Sequence, residues 1–323
     1  MPPAATAKCG AALHAEAWTL NADKMSILID QNKRVIVQGI TGREGAARTK
    51  LMFEYGTRIV GGCTPKRGGQ TVENLPVFDS VLEAKDSLGA IDVSVIFVPA
   101  PRVKSAAIEA IEAGVPLLAL IADRVPLYDV LEICEVADEF GAKFVGPNTV
   151  GVMSPEKAVL GMMGGNAKTA KSWFHCGNVG IISRSGGLSA STGYYICQTG
   201  VGISTIVHVG GDSVIGLTMP EVAEMFEQDD ETDLIVLLGE IGGSQEEQVA
   251  DLIESGKITK SIVAYVGGKA AQTGTRYSHA GAIVEGGRGT WAGKVERLKE
   301  VGAEIVEQFS DIPQKVKEVL ATN

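Results

Sequence analysis

Along most of this chain, short apolar runs alternate with longer stretches in which apolar residues return every three or four positions. In the first half the runs fall at 35–40, 58–62, 93–98, 117–122 and 143–145, rich in Val and Ile and without polar alternation. Such runs suit strands buried on both faces, as in a parallel sheet. Residues 103–113 and 127–140 carry the helical period between them. The second half repeats the scheme, with runs at 179–183, 205–209, 234–238, 261–266 and 304–306 and helices expected at 188–199, 220–228, 245–255 and 290–301. Strand followed by helix, repeated, predicts parallel sheets with helices on both sides. The turn at Gly146-Pro147-Asn148 separates the two series, and 158–177 reads as a looser segment. The expectation is two closely packed, doubly wound α/β domains, at 25–148 and 149–323. Residues 1–24 are Ala-rich and lack any period, so a flexible extension is expected ahead of Met25.

Length agrees with this division, since 323 residues supply volume for two cores. The net charge of −10 removes any general attraction to nucleic acid or an anionic membrane. A polyanionic ligand must therefore be held by local features. No apolar run approaches the ~18 residues that span a bilayer. The five cysteines form no C-x-x-C pair, and their spacing suits neither zinc nor a disulfide framework. A reducing, cytoplasmic setting is expected, with no metal bound by this chain.

The chemistry collects where strands end. Gly39-Ile-Thr41-Gly42-Arg43-Glu44-Gly45 follows the first strand and opens a helix. Glycine there lets backbone approach a phosphate, and the helix start offers unpaired N–H groups and the positive end of a dipole. A tight structural turn is the competing reading. A dinucleotide site wants an acidic residue about 20 positions after the first glycine. This chain instead reads Gly61-Gly62-Cys63-Thr64-Pro65-Lys66-Arg67-Gly68-Gly69. Lys66 and Arg67 suit a phosphate on the ribose, as in CoA or NADP, or else form an ordinary solvated loop. Val98-Pro99-Ala100-Pro101 and Ile121-Ala122-Asp123 end two further strands and are candidate walls of the same site.

In the second half four loops coincide. Ser183-Arg184-Ser185-Gly186-Gly187 ends a strand and starts a helix, another anion site. Gly210-Gly211-Asp212 ends the next strand, and Leu238-Gly239-Glu240 the third, carrying one carboxylate. Ser278-His279-Ala280-Gly281 supplies a histidine among small residues that leave its ring accessible. A nucleophilic imidazole needs one nitrogen free and the other oriented by an acceptor. Glu240 can fill the second role for His279. His208, just before Gly210, either lines the same site or is a core histidine. The chain has no G-x-x-x-x-G-K-[ST] loop, so a phosphorylated histidine here implies a partner subunit that brings the nucleotide.

Taken together, residues 39–45, 60–69, 146–148, 183–186, 239–243 and 279–282 resemble the alpha subunit family of succinate–CoA ligase (succinyl-CoA synthetase), and the likeness runs from about Met25 to near the C-terminus. The resemblance implies a Rossmann-like CoA-binding domain followed by a flavodoxin-like ligase domain that carries the phosphohistidine. It also implies a beta subunit of ATP-grasp fold that binds the acid and ATP or GTP with Mg2+, in an alpha-beta or alpha2-beta2 assembly. The family's phosphorylated histidine falls on His279 and its orienting glutamate on Glu240. CoA-binding positions fall on Thr41, Gly42, Arg43, Glu44, Gly45, Lys66 and Arg67, with Val98, Pro99, Pro101, Ile121 and Asp123 as walls. Phosphate-binding positions fall on Ser183, Ser185, Gly186, Gly187, Gly210 and Gly211.

Departures from the family pattern bear on the substrate. Lys66-Arg67 stands where the family usually has Gly-Lys, and Glu44 where it has Gln. Its P-N-C-P-G becomes Pro147-Asn148-Thr149-Val150-Gly151, and His208 occupies a position that is normally small. Asn148–Gly151, Gly164-Gly165, Ser183–Ser189 and Gly256–Lys260 are closer to ATP citrate lyase and citryl-CoA synthetase. A citrate–CoA or malate–CoA ligase therefore stands beside a succinate–CoA ligase. Outside that class stand an NADP oxidoreductase and a CoA-sensing module without catalysis.

Overall fold

The computed structural model describes residues 26–270 and 289–322. It contains two seven-stranded sheets. The first is built from β1 (Val35–Gln38), β2 (Ile59–Cys63), β3 (Thr71–Val72), β4 (Leu75–Phe78), β5 (Val93–Ile96), β6 (Leu117–Leu120) and β7 (Lys143–Val145), in the order β3-β4-β2-β1-β5-β6-β7. Setting aside β3, which pairs antiparallel with β4, the remaining strands follow the order 3-2-1-4-5-6 of a Rossmann sheet. The order reverses between β1 and β5, which pair in register from Val35 opposite Val93 to Gln38 opposite Ile96.

Alternation along β1 sorts its side chains to two cores. Ile36 joins a cluster with Val103 and Ile111 of α3 (Val103–Glu112) and Val130 and Ile133 of α4 (Leu127–Phe140). Val35 and Val37 face the other way, toward Leu51 and Met52 of α1 (Arg43–Tyr55). The helix α2 (Val81–Leu88) starts where the Ser80 hydroxyl accepts the Glu83 amide, an N-cap that the sequence carries openly.

The second sheet contains β8 (Gly151–Ser154), β9 (Ala158–Gly161), β10 (Cys176–Ser183), β11 (Ile203–His208), β12 (Leu234–Glu240), β13 (Ser261–Gly267) and β14 (Glu304–Ile305), ordered β14-β13-β12-β10-β11-β8-β9. Its parallel strands follow the flavodoxin-like order 2-1-3-4-5, with the switch between β10 and β12. The connecting helices are α5 (Ala167–Trp173), α6 (Gly186–Gln198), α7 (Met219–Glu227), α8 (Gln245–Glu254) and α9 (Trp291–Glu300), and α10 (Ile312–Leu320) closes the chain.

One expectation needs correction. Residues 158–177, read as loose, hold β9, α5 and the start of β10. The hairpin β8–β9 pairs antiparallel, and β8 runs antiparallel to β11, so the second sheet is mixed. This hairpin also ties the two sheets together. The Thr57 hydroxyl donates to the Val159 carbonyl at 2.8 Å and accepts the Val159 amide at 2.9 Å, both buried. Among the described residues, no helix is long and apolar enough to cross a membrane, and Cys63, Cys134, Cys176 and Cys197 form no disulfide.

Candidate active site

The first glycine loop is shaped by its neighbours. Gly39 has φ +79°, and a Cβ there would lie 2.5 Å from the Phe97 carbonyl oxygen, so glycine alone fits this turn against β5. The N-cap of α1 is Gly42, which has no side chain to offer the first amides of the helix. The first amides of that helix thus lack a side-chain acceptor, an arrangement that suits an anion.

A cavity of about 650 Å³ opens at this point. Gly42, Arg43, Glu44 and Gly45 of the α1 start form one side. Phe97, Val98 and Pro99 after β5, and Ile121, Ala122 and Asp123 after β6, form the walls. It therefore sits outside the carboxyl ends of the strands at the β1/β5 switch, where open α/β sheets bind ligands. The far side comes from the second half of the chain and its lead-in: Asn148, Thr149, Val150, Met162, Gly186 and His208. Of the residues named from sequence, Gly42, Arg43, Glu44, Gly45, Val98, Pro99, Ile121, Asp123 and Gly186 meet in this one cavity. Ala122, part of a wall in the sequence reading, and His208, which the sequence leaves between lining a site and a core role, line it too, as do Phe97, Asn148, Thr149, Val150 and Met162, which the sequence does not single out as ligand contacts.

Thr41, Pro101, Lys66 and Arg67 are not among the cavity's lining. Thr41 lies at the cavity's edge by sequence, its amide turned toward the Thr64 hydroxyl at 3.4 Å. Lys66 and Arg67 sit on an exposed loop beyond β2. Asp79 shapes that loop, its Oδ1 accepting the amides of Arg67 and Gly68 at 2.8 Å each. Both side chains thus remain in solvent. Cys63, at the end of the same strand, is held as the thiol, because burial and then the carboxylates of Glu109 and Glu83 raise its pKa.

The floor of the cavity is fixed by Asn148. Its amide donates to the Ala122 carbonyl at 2.8 Å, and its carbonyl accepts from Gly211 at 3.1 Å. Its Nδ2 donates to Asp212 Oδ1 at 3.1 Å. One residue thereby joins the β6 end of the first sheet to the β11 end of the second. The Gly146–Pro147 peptide bond is cis. Gly210 packs here too, since a Cβ on it would lie 2.5 Å from the Pro147 carbonyl oxygen.

A second cluster lies at the β10/β12 switch. Ser183 Oγ accepts the Ser185 amide at 2.9 Å and donates to the Ser185 carbonyl, while Ser185 caps α6 by accepting from Leu188. Gly187 stands in open space at the start of that helix. Arg184, 4% exposed, donates from Nε to Glu240 Oε1 at 3.1 Å and from Nη2 to the Asp212 carbonyl at 3.0 Å. The Glu240 amide donates to Glu246 Oε1 at 2.9 Å. Glu246 in turn pairs with Lys294, and both are buried. The Glu240 carboxylate is therefore held by Arg184, and its backbone by Glu246. His279, the expected phosphoryl carrier, lies outside the described residues.

Comparison with known proteins bears on what this arrangement is. Residues 30–123 match the CoA binding domain family, and residues 182–303 match the CoA-ligase family. The chain is 43% identical to the succinate–CoA ligase [ADP-forming] subunit alpha of Aquifex aeolicus (strain VF5), over 92% of this chain and 95% of that one. It is 41% identical to the ADP-forming sulfoacetate-CoA ligase subunit SqwL of Acholeplasma sp, over 92% of this chain and 97% of that one. Among solved structures, ATP citrate lyase from Methanothrix soehngenii in complex with citrate and coenzyme A shares the fold, with a TM-score of 0.83 at 24% identity over 92% of this chain. This chain spans about half of that one, 51%. With both matched regions in chain order and identity above 40% across nearly its whole length, the chain belongs to the family of ADP-forming acid–CoA ligase alpha subunits.

Proposed function

We propose that this chain binds CoA in the cavity between its two sheets and carries a phosphoryl group on His279, as the alpha subunit of a succinate–CoA ligase. The overall reaction joins succinate and CoA with ATP and releases ADP and phosphate. The observation that carries this reading is the cavity itself. It runs from an uncapped helix start in the first sheet to the start of α6 in the second. CoA suits its parts: a phosphorylated nucleotide for the α1 amides and the Lys66–Arg67 loop, and a narrow arm for the apolar walls at Val98, Pro99 and Ile121. In this division of labour residues 25–148 hold CoA, and residues 149–323 hold the phosphoryl group.

Phosphoryl transfer then falls to the β10/β12 switch. His279 receives the phosphoryl group from ATP or GTP bound with Mg2+ on an ATP-grasp beta subunit, in a cytoplasmic hetero-oligomer. Glu240, fixed by Arg184 and Glu246, orients the imidazole. The start of α6, with Ser183, Ser185, Gly186 and Gly187, stabilises the phosphoryl charge. The succinate carboxylate takes the phosphoryl group from His279, and the CoA thiol displaces phosphate from the acyl phosphate.

Intact-mass spectrometry after incubation with MgATP and the beta subunit tests this. Wild type is expected to gain an acid-labile phosphoryl adduct and His279→Ala none. No adduct on wild type, with an active partner and CoA bound, would leave a CoA-sensing role. A citrate–CoA or malate–CoA ligase is the second reading, favoured by the Asn148–Gly151 and Ser183–Ser189 motifs. Turnover by the complex with citrate or malate and not succinate would select it, and the similarity to a sulfoacetate-CoA ligase subunit puts sulfoacetate on the same panel.

A further inference from the structure

We infer that Lys294 and Glu246 are positioning residues for phosphoryl transfer: their buried ion pair sets the loop at 239–243, and through that loop both Glu240 and the two stretches of chain that flank His279. This rests on the function proposed above.

Lys294, on α9, is fully buried, and Glu246, in the first turn of α8, is 1% exposed. A lysine is almost never buried to this extent unless it is paired. Here Nζ meets Glu246 Oε2 and lies 3.2 Å from Glu247 Oε2. Holding charges away from water is costly, and an apolar pair of the same volume often serves a fold as well or better. An apolar side chain at 246 lacks what Glu246 supplies with its other oxygen, however. Oε1 accepts the Glu240 amide at 2.9 Å. Gly239 leaves the room for it, since a Cβ there would overlap the Glu246 carboxylate. Lys294 is thus the counter-charge that keeps a carboxylate buried where the Glu240 amide takes its acceptor.

The next two amides of the loop reach further. The Ile241 amide donates to the Gly267 carbonyl at 3.2 Å, and the Gly242 amide to the Gly289 carbonyl at 2.8 Å. Gly267 precedes His279 in the chain and Gly289 follows it. Gly289 has φ +70°, and a Cβ on it would lie 2.8 Å from the Gly243 carbonyl oxygen, so the close approach needs glycine. Three successive amides, at 240, 241 and 242, therefore go to Glu246, to the chain before His279 and to the chain after it. The helix α9 starts two residues past Gly289, and Trp291 Nε1 in its first turn donates to the Val266 carbonyl at 2.9 Å. Lys294 thus holds Glu246 from the element that continues one of the two flanking stretches. A shift of Glu246 displaces Glu240 relative to both, and a misplacement of about 1 Å slows a reaction by up to about a hundredfold.

A pair that only stabilises the fold must be separated from one that positions. E246Q/K294M removes both charges and keeps an oxygen for the Glu240 amide. E246L/K294M removes both charges and the oxygen as well. Each is assayed in the complex with the nucleotide-binding subunit, by single-turnover phosphorylation of this chain with MgATP and by calorimetry with CoA. E246L/K294M is expected to be phosphorylated about tenfold more slowly than E246Q/K294M. The CoA dissociation constant and the MgATP concentration at half-maximal rate should not differ between the two. Equal phosphorylation rates would overturn the proposal. So would a loss of CoA affinity in E246L/K294M as large as its loss of rate, because that marks general damage to the fold. Gly239→Ala keeps every charge and displaces the Glu246 carboxylate. Should E246L/K294M not fold, G239A is expected to show the same slowing relative to wild type, and a wild-type rate in G239A would overturn the proposal. A wild-type complex that gains no phosphoryl group would count against the proposed function itself, before any of these variants is made.

Discussion

At the scale of single residues, the firmest feature of the second site is the pair between Arg184 and Glu240. The two side chains are 5% and 17% exposed, and Arg184 also holds the Asp212 carbonyl. Arg184 lies within the proposed phosphate loop, between Ser183 and Ser185, yet its guanidinium is already engaged by protein. Its work is to fix the loops after β10, β11 and β12 relative to one another. Breaking a buried pair from one side removes a counterion from the other charge, which costs more than the pair contributes. Arg184→Met should therefore lower stability by about 3 kcal/mol. It should also slow phosphorylation of His279 while leaving the CoA dissociation constant near that of wild type. Chemical denaturation and calorimetry measure these effects. An unchanged denaturation midpoint would mean that the pair contributes nothing to the fold.

At the scale of elements, the loop between β2 and β3 depends on Asp79. That carboxylate receives two amides, and its own amide donates to Glu83 Oε2 at the start of α2. Asp79→Ala releases the loop that presents Lys66 and Arg67. If those cations hold a CoA phosphate, affinity for CoA should fall about tenfold, the scale of losing one or two charge-assisted bonds. Isothermal calorimetry reads this directly, and an unaltered dissociation constant would remove the loop from the site. The elements also account for what the sequence discloses. The ten apolar runs became strands, and all but the last are mostly buried, the pattern of strands covered on both faces. The hairpin β3–β4 escaped because it is short and holds Pro76. The hairpin β8–β9 escaped because its strands are only four residues each and its turn, Pro155-Glu156-Lys157, reads as loop. That miss carried over to the site. Gly42–Gly45 and Val98 were legible because glycine and strand-end chemistry declare a phosphate site locally. Met162 reaches the cavity only through the pairing of β9 on β8 and β8 on β11, a tertiary fact with no local signature, whereas His208 stands at a strand end before Gly210 and is legible there as a candidate.

At the scale of the whole molecule, the two sheets do not own separate cores. The first sheet buries one face under α2, α3 and α4. Its other face joins a cluster that runs from Val35, Val37 and Val95 through Val152 and Ile206 to Leu237 in the second sheet. The helix α1 lies within that cluster, with Met52 and Tyr55 buried beside residues of β9 and α5. The buried bonds between Thr57 and Val159 cross the same boundary. Stripping the second half away would expose this face of the first sheet, so the first half alone would keep the core under α2, α3 and α4 and lose the other. Chains of this length often unfold in steps, domain by domain. Here a single thermal transition is expected, with calorimetric and van't Hoff enthalpies equal within error. The cavity takes residues from both halves, so CoA should raise that one transition as a unit, by RT ln(1 + [L]/Kd) in free energy. Two resolved transitions, only the lower or the upper of which moves with CoA, would show that the shared cluster does not couple the halves. The cavity would then belong energetically to one sheet, and residues such as Asn148 and His208 would shape it without linking CoA binding to the stability of the phosphoryl site.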